Sequence, residues 1–260
     1  MCTLVLLLQP QRPGDTKPGL RPEDHVPGTG VLAVSGNRNE LLARPSSGPR
    51  IDEHGVLAPR DELAHGTWLG LNRHGLFVCV TNRRGAMIDP ARKSRGLLAL
   101  ESLQGAFSAR GLHTALHELR GDRHNGFHLV YADLAGAYVT WSDGVTVSQT
   151  ELEPGRVHVI TERSFGAGES DREQSVRAAF EGIPLSVKAW REPMTAHAAA
   201  PLESACVHAD AVGYGTRSSF QLMLRASGAS EALWTDGHPC VNPPRDISPL
   251  ISQLGIGTSR

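Results

Sequence analysis

Apolar and polar positions along this chain repeat mostly with a period of two, and only two blocks show a helical period. The first segment, Thr3–Leu8, is an unbroken apolar run with no helical face, which predicts a strand buried on both sides. Gln9–Gly30 is rich in proline and glycine in a polar context and predicts a long irregular connection, a candidate lid given its place after the first strand. Val31–Ser35 predicts a second strand, ended by Gly36 and followed by the polar block Asn37-Arg38-Asn39-Glu40. Consecutive strands tend to be neighbours, which would bring Cys2 near the residues after Val31. From Gly66 the pattern becomes strongly β: Thr67–Leu71, a turn at Asn72–Gly75, then Leu76–Thr81, a hairpin signal.

Leu97–Leu119 places Leu98, Leu100, Leu103, Phe107, Leu112, Leu116 and Leu119 on roughly one side of a helix, with Gly105 and Gly111 predicting a break into two pieces. Further strands are expected at Gly126–Tyr131, Gly136–Trp141, Val145–Ser148 and Val157–Thr161. A helix is expected over Asp171–Phe180, capped by Ser170 with Glu173 at the third helical position. A short helix at Thr195–Ala200 and strands at Ser204–His208, Ser218–Leu224 and Glu231–Trp234 complete the pattern. The tail from Pro239 holds four prolines and is expected to wrap the surface. Runs of strands broken by two helical blocks predict an α+β fold with mostly antiparallel sheets, in one domain spanning residues 1–260.

Composition removes several function classes. Lys and Arg number 26 against 27 Asp and Glu, and the arginines are scattered, so no footprint for nucleic acid exists. Thr3–Leu8 is too short for a signal-peptide core or a membrane span, and no stable membrane insertion is expected. The four cysteines, Cys2, Cys79, Cys206 and Cys240, show no paired spacing. They read as reduced thiols of a cytosolic protein, with no metal or disulfide role. Among the 12 histidines, His113 and His117 lie four apart, but without the Glu of a zincin helix or an evident acidic third ligand. A single exposed His could still ligate haem axially, although no covalent haem-attachment motif occurs. Nothing in the pattern sets the oligomeric state.

The candidate chemistry starts at Cys2. Trimming of Met1 would leave one residue with both a thiol nucleophile and a free α-amine, whose ordinary pKa values of about 8.5 and about 7.7–8.0 suit a nucleophile–base pair. Arg38 is either part of a solvated turn or a fixed cation beside that thiol. Asn82, at the end of an apolar strand, is either a local turn residue or an oxyanion donor. Tyr214–Ser219, with Gly215, Arg217 and Ser218, is either a polar hairpin loop or a substrate-facing wall.

As a set, these segments resemble the NRDE family, which includes the transport and Golgi organisation protein 2 homologues. The resemblance rests on Met1-Cys2 leading into an apolar strand, Asn37-Arg38-Asn39-Glu40 with Arg44-Pro45, and Gly66-Thr67-Trp68-Leu69-Gly70. It continues through Thr81-Asn82, Asn125–Leu129 with Asp133, Leu152 with Pro154-Gly155, and Tyr214–Ser219. It implies a four-layer αββα sandwich of the N-terminal-nucleophile hydrolase type. In that fold Cys2 matches the nucleophile, Arg38 the neighbouring arginine and Asn82 the oxyanion asparagine, with Asn39, Arg217, Gly215 and Ser218 at the substrate. Asn39 stands where the family usually has Asp, and it supplies no charge to hold the α-amine. The resemblance implies either hydrolysis of a small acyl amide or thioester, with no cofactor required, or carriage of haem or an acyl lipid as cargo on the same fold.

Overall fold

Leu4, Leu6 and Leu8 face one way from the first strand and Val5 and Leu7 the other, and all five side chains are buried. The strand therefore sits inside a layered structure, covered on both faces. The computed structural model describes residues 2–9, 30–86, 88–168 and 170–256. The expected lid over Gln9–Gly30 falls almost wholly outside them.

Two seven-stranded sheets carry the fold, every neighbouring pair antiparallel. The second sheet is a meander of β3 (Ser46–Ile51), β4 (Val56–Asp61), β5 (Leu69–Asn72), β6 (Phe77–Asn82), β7 (Phe127–Ala132), β8 (Ala137–Ser142) and β9 (Val147–Glu151). The first sheet is assembled from both ends of the chain. Its order is β10 (His158–Ile160), β1 (Cys2–Gln9), β2 (Val31–Leu41), β12 (Tyr214–Arg225), β13 (Glu231–Asp236) and β14 (Arg245–Asp246), with β11 (His208–Ala209) against β12.

The period of two sorts each strand's side chains between layers. Leu4, Leu6, Val34, Leu222 and Trp234 from the first sheet meet Leu69, Phe77, Val130 and Val139 from the second in the core between the sheets. On the outer face of the second sheet, Val78, Leu129 and Tyr131 pack under α1 (Arg95–Gly105) and α2 (Ala109–Ala115). On the outer face of the first, Val5, Ala33 and Met223 pack under α3 (Asp171–Ala179) and α4 (Val187–Arg191). The result is the α+β sandwich, helices outside two sheets. Among the described residues no helix is long and apolar enough to cross a membrane.

Several expectations change. Strand β2 does not end at Gly36 but runs on to Leu41, because β1 and β12 pair with it on both sides; Gly36 is opposite both Leu4 and Phe220. The break in the first helical block falls at Gly105 alone, and Gly111 stays within α2. Thr195–Ala200 is not an α-helix. The helix lies earlier, at Val187–Arg191, capped by Ser186 and followed by a 3-10 turn around Pro193. The strand expected over Ser204–His208 shrinks to His208–Ala209, and the β3–β4 hairpin was not anticipated. The tail does more than wrap the surface: it contributes β14 and α5 (Ser248–Gln253), with Ile247 and Ile251 in the core between the sheets. The Ser170 cap holds, its hydroxyl accepting from the Glu173 N–H at 3.1 Å.

Candidate active site

Cys2 is the last member of the row Leu8, Leu6, Leu4 on the face of β1 that looks toward the second sheet. The β1–β2 register places it directly opposite Arg38. Where the row reaches the end of the strand the apolar filling stops and a polar cavity of about 220 Å³ opens. Its walls include Cys2, Arg38, Asn39, Trp68, Asn82 and Arg95. The structure thus brings four of the sequence-predicted residues, Cys2, Arg38, Asn39 and Asn82, to one space.

Arg38 is fixed from several sides. Its guanidinium stacks over Trp68, 4.2 Å from the ring centre, and Nη2 donates to Asp61 Oδ2 at 3.2 Å, with Glu40 Oε2 at 3.7 Å. Nη1 is buried and has no hydrogen-bond partner among the described residues. Burial pushes the Arg38 guanidinium below its ordinary value, against the pull of negative charge at Cys2, Glu40 and Asp61.

Asp61 anchors the opposite wall. Burial alone would raise its carboxyl. The hydrogen bond from Arg44 (Nε to Oδ2, 2.7 Å), the Ala64 N–H and the charges of Arg44 and Arg38 outweigh that and hold it below the usual carboxylate range. Leu63 and Ala64 both donate to Oδ1, which folds the loop after β4 back on itself. The next residues reach Gly66, whose Cα lies so close to the Gly96 backbone that an added Cβ would stand 2.3 Å from the Gly96 carbonyl carbon. Only glycine allows that approach, and it lets Thr67 N–H donate to Gly96 O at 3.0 Å.

That contact aims the start of α1 at the cavity. Ser94 caps the helix by accepting from Gly96 N–H at 3.2 Å, and Ser94, Arg95 and Gly96 line the wall. Arg95 carries no local sequence signature beyond its place at a helix start, and the sequence reading missed it. Its Nη1 donates to Gly126 O at 3.1 Å, and it forms no ion pair with a described residue. Burial lowers its pKa, and negative charge at Cys2 and Glu40 works the other way. The other cations of the wall are already engaged: Arg44 with Asp61, Arg92 with Asp89, Lys93 with Glu101. Asn125 clamps the loop before α1, its Oδ1 accepting from Asp89 N–H and its Nδ2 donating to Asp89 O.

Asn82 ends β6 as an exposed residue and faces two spaces. Besides the cavity at Cys2 it borders a neighbouring one of about 410 Å³, walled by Arg83, Ala86, Ile88, Glu162 and Leu202. Asn82, Arg95 and Asn125 belong to both, so the two form one cleft.

Apart from Asn39, the remaining candidates lie outside the cavity lining. Asn39 lines the cavity, with its Oδ1 accepting from Thr216 Oγ1 at 2.7 Å. Ser218 lies beside Arg38 in the β2–β12 register, buried and outside the cavity lining. Arg217 sits in the β12 bulge between Thr216 and Ser218, where Nη2 donates to Arg44 O at 3.3 Å. Gly215 faces His238 and Val207 instead of the cavity. Among the described residues, His113 and His117 are not brought to a third potential metal ligand. His113 Nδ1 bonds Tyr131 OH at 2.7 Å, and its ring stacks on Tyr138.

Comparison with solved structures returns the same architecture. The C2A mutant of conjugated bile acid hydrolase from Clostridium perfringens matches with a TM-score of 0.51 at 10% identity, over 96% of this chain and 93% of that one. The N-acylethanolamine-hydrolyzing acid amidase ortholog of Caenorhabditis elegans matches with a TM-score of 0.51 at 10% identity, over 87% and 93%. At that identity the likeness shows the fold alone. Among curated protein sequences none matches. The family model for Transport and Golgi organisation 2 matches residues 27–183, more than half of the chain, across β2 to α3 and including the Arg38, Asn82 and Arg95 walls of the cleft. The chain belongs to the Transport and Golgi organisation 2 family, the NRDE family its motif blocks resemble.

Proposed function

We propose that the cleft hydrolyses an acyl amide or acyl thioester bearing an anionic group, with Cys2 as nucleophile. The observation that carries this reading is the convergence of Cys2, Arg38, Asn82 and Arg95 on one cleft. On removal of Met1 the α-amine takes the thiol proton as Sγ attacks the carbonyl carbon. The oxyanion is met by the Asn82 side-chain amide, a donor worth about 2.7–4 kcal/mol in such roles. The amine then passes its proton to the leaving nitrogen or sulfur, the tetrahedral intermediate collapses to a Cys2 thioester, and water releases the acid.

Arg95 would hold the anionic group, since it forms no ion pair with a described residue while Arg38, Arg44 and Arg92 are paired with carboxylates. The Ala86, Ile88 and Leu202 surfaces of the adjoining space suit an acyl chain or apolar leaving group. The bile acid hydrolase neighbour is a C2A mutant, so its unmutated chain also carries a cysteine at position 2. Intact mass spectrometry before and after exposure to a panel of acyl thioesters tests the reading. Loss of Met1 with an acyl adduct on Cys2 is expected. A trimmed chain that never acylates would leave carriage of an acyl lipid or haem as the better account, and retained Met1 would rule out the α-amine step.

A further inference from the structure

Cys206 and Cys240 lie 34 positions apart in sequence, yet they meet beside the start of β12. Their sulfurs are 3.5 Å apart. His208 Nε2 stands 3.0 Å from Cys240 Sγ and 3.7 Å from Cys206 Sγ. His197 brings a fourth ligand atom, and all four lie within 4.8 Å of one another. We propose that His197, Cys206, His208 and Cys240 form a structural zinc site that fastens the segment before β11 and the C-terminal tail to β12.

The dimensions favour a metal at the centre. Tetrahedral zinc with bonds of about 2.3 Å to sulfur and about 2.0–2.1 Å to nitrogen has ligand–ligand edges of about 3.8 Å for S–S and about 3.6 Å for S–N. The separations of 3.5, 3.7 and 3.0 Å lie within about 0.6 Å of those edges. A disulfide would need the two sulfurs at about 2.05 Å. Two thiolates with two imidazoles select zinc over hard cations, and four protein ligands close the site, as structural zinc requires. His208 also has an outer partner. Its Nδ1 lies 3.9 Å from Asp210 Oδ2 while Nε2 is the nitrogen nearest the sulfurs.

Backbone contacts hold the ligands in place independently of any metal. Cys206 N–H donates to Ala196 O at 3.0 Å, which sets His197 beside the cysteine. Val207 N–H donates to Thr216 Oγ1 at 2.8 Å, which ties the segment to β12. On the tail, Arg191 Nη2 donates to Pro239 O and to Asn242 O at 2.5 and 3.0 Å, and Asn242 N–H donates to His238 O at 2.9 Å. His238 stacks on His208 with ring centres 3.8 Å apart. A side chain at Gly215 would meet it at 2.7 Å, so glycine leaves room for that wall. None of the four ligands lines the cleft at Cys2.

The full-length chain, purified under reducing conditions, is assayed for metal by mass spectrometry and by thermal unfolding before and after chelation, in wild type and in Cys2→Ala. One zinc per chain is expected in both, with a melting temperature that falls on chelation and recovers on adding zinc chloride. Cobalt substitution should give the visible absorption of a tetrahedral thiolate site. Cys240→Ser and, at an exposed ligand, His197→Ala should weaken zinc binding about tenfold or more. Because the second variant alters a surface side chain, misfolding of the first leaves the test intact. Substoichiometric metal with no uptake of added zinc, iron in place of zinc, zinc binding unchanged in His197→Ala, or a Cys206–Cys240 disulfide persisting under reductant would each overturn the proposal.

Discussion

At Cys2 the reacting groups arrive from stretches that are each contiguous: the start of β1, the Asn37–Glu40 end of β2, the end of β6 and the start of α1. At Cys206 four single residues arrive from two connections, one short strand and the tail. The first site is open, with Arg95, which forms no ion pair with a described residue, lining a cleft. The second is closed, its ligand atoms facing one another. An open arrangement suits turnover and a closed one suits fastening, even though both are built around thiols. The difference should separate cleanly in two variants. Cys2→Ala is expected to abolish acyl-adduct formation and leave the metal content unchanged. Cys240→Ser should lose metal and melt lower while still acylating at Cys2. Loss of both properties in either variant would merge the two sites into one.

Asn82→Ala tests whether the open site stabilises charge. If its amide meets the oxyanion, the acylation rate should fall about 100- to 1,000-fold with little change in melting temperature, because Asn82 is an exposed strand end. Stopped-flow acylation with a chromogenic thioester measures this. A loss below about threefold would remove Asn82 from the oxyanion role.

The same contrast explains what the sequence made legible. β1, the β5–β6 hairpin and the Ser170-capped helix are local patterns, and each appears near its expected place. Cys2 and Arg38 could be joined because neighbouring antiparallel strands bring a strand start against its successor's end. The β3–β4 hairpin escaped notice because Gly48, Pro49 and Pro59 read as breakers. Gly48 and Pro49 lie in the edge strand β3 at the bulge between Ser47 and Arg50, and Pro59 in β4 falls opposite that bulge, beyond the stretch paired with β5. Arg95 was missed because its importance comes from the Gly66–Gly96 contact, which aims a helix start at the cleft. Cys206 and Cys240 were missed because no spacing rule links residues whose meeting depends on where β12 and the tail are placed.

Arg95→Met sharpens the functional half of the comparison. With one charge-assisted contact removed, worth about 1.5–3 kcal/mol, KM for an anionic substrate should rise about 10- to 100-fold while a neutral analogue is little affected. Equal effects on both substrates would assign Arg95 to the packing of α1 and remove it as the anion contact.

Asn39→Asp is expected to have the smallest effect and the most specific one. The new carboxylate would keep its place, since Thr216 Oγ1 can donate to it as it donates to Asn39 Oδ1. The added negative charge favours the ammonium form of the Cys2 α-amine and raises its pKa, by about one unit at the spacing of neighbouring strands. The neutral amine is the base, so the rising limb of the acylation–pH profile should move up by about one unit in Asn39→Asp, with the plateau rate at high pH unchanged. Zinc content, set on the far side of Thr216, should not change. If the profile stays where it is, the α-amine is not the base, and another group must take the thiol proton.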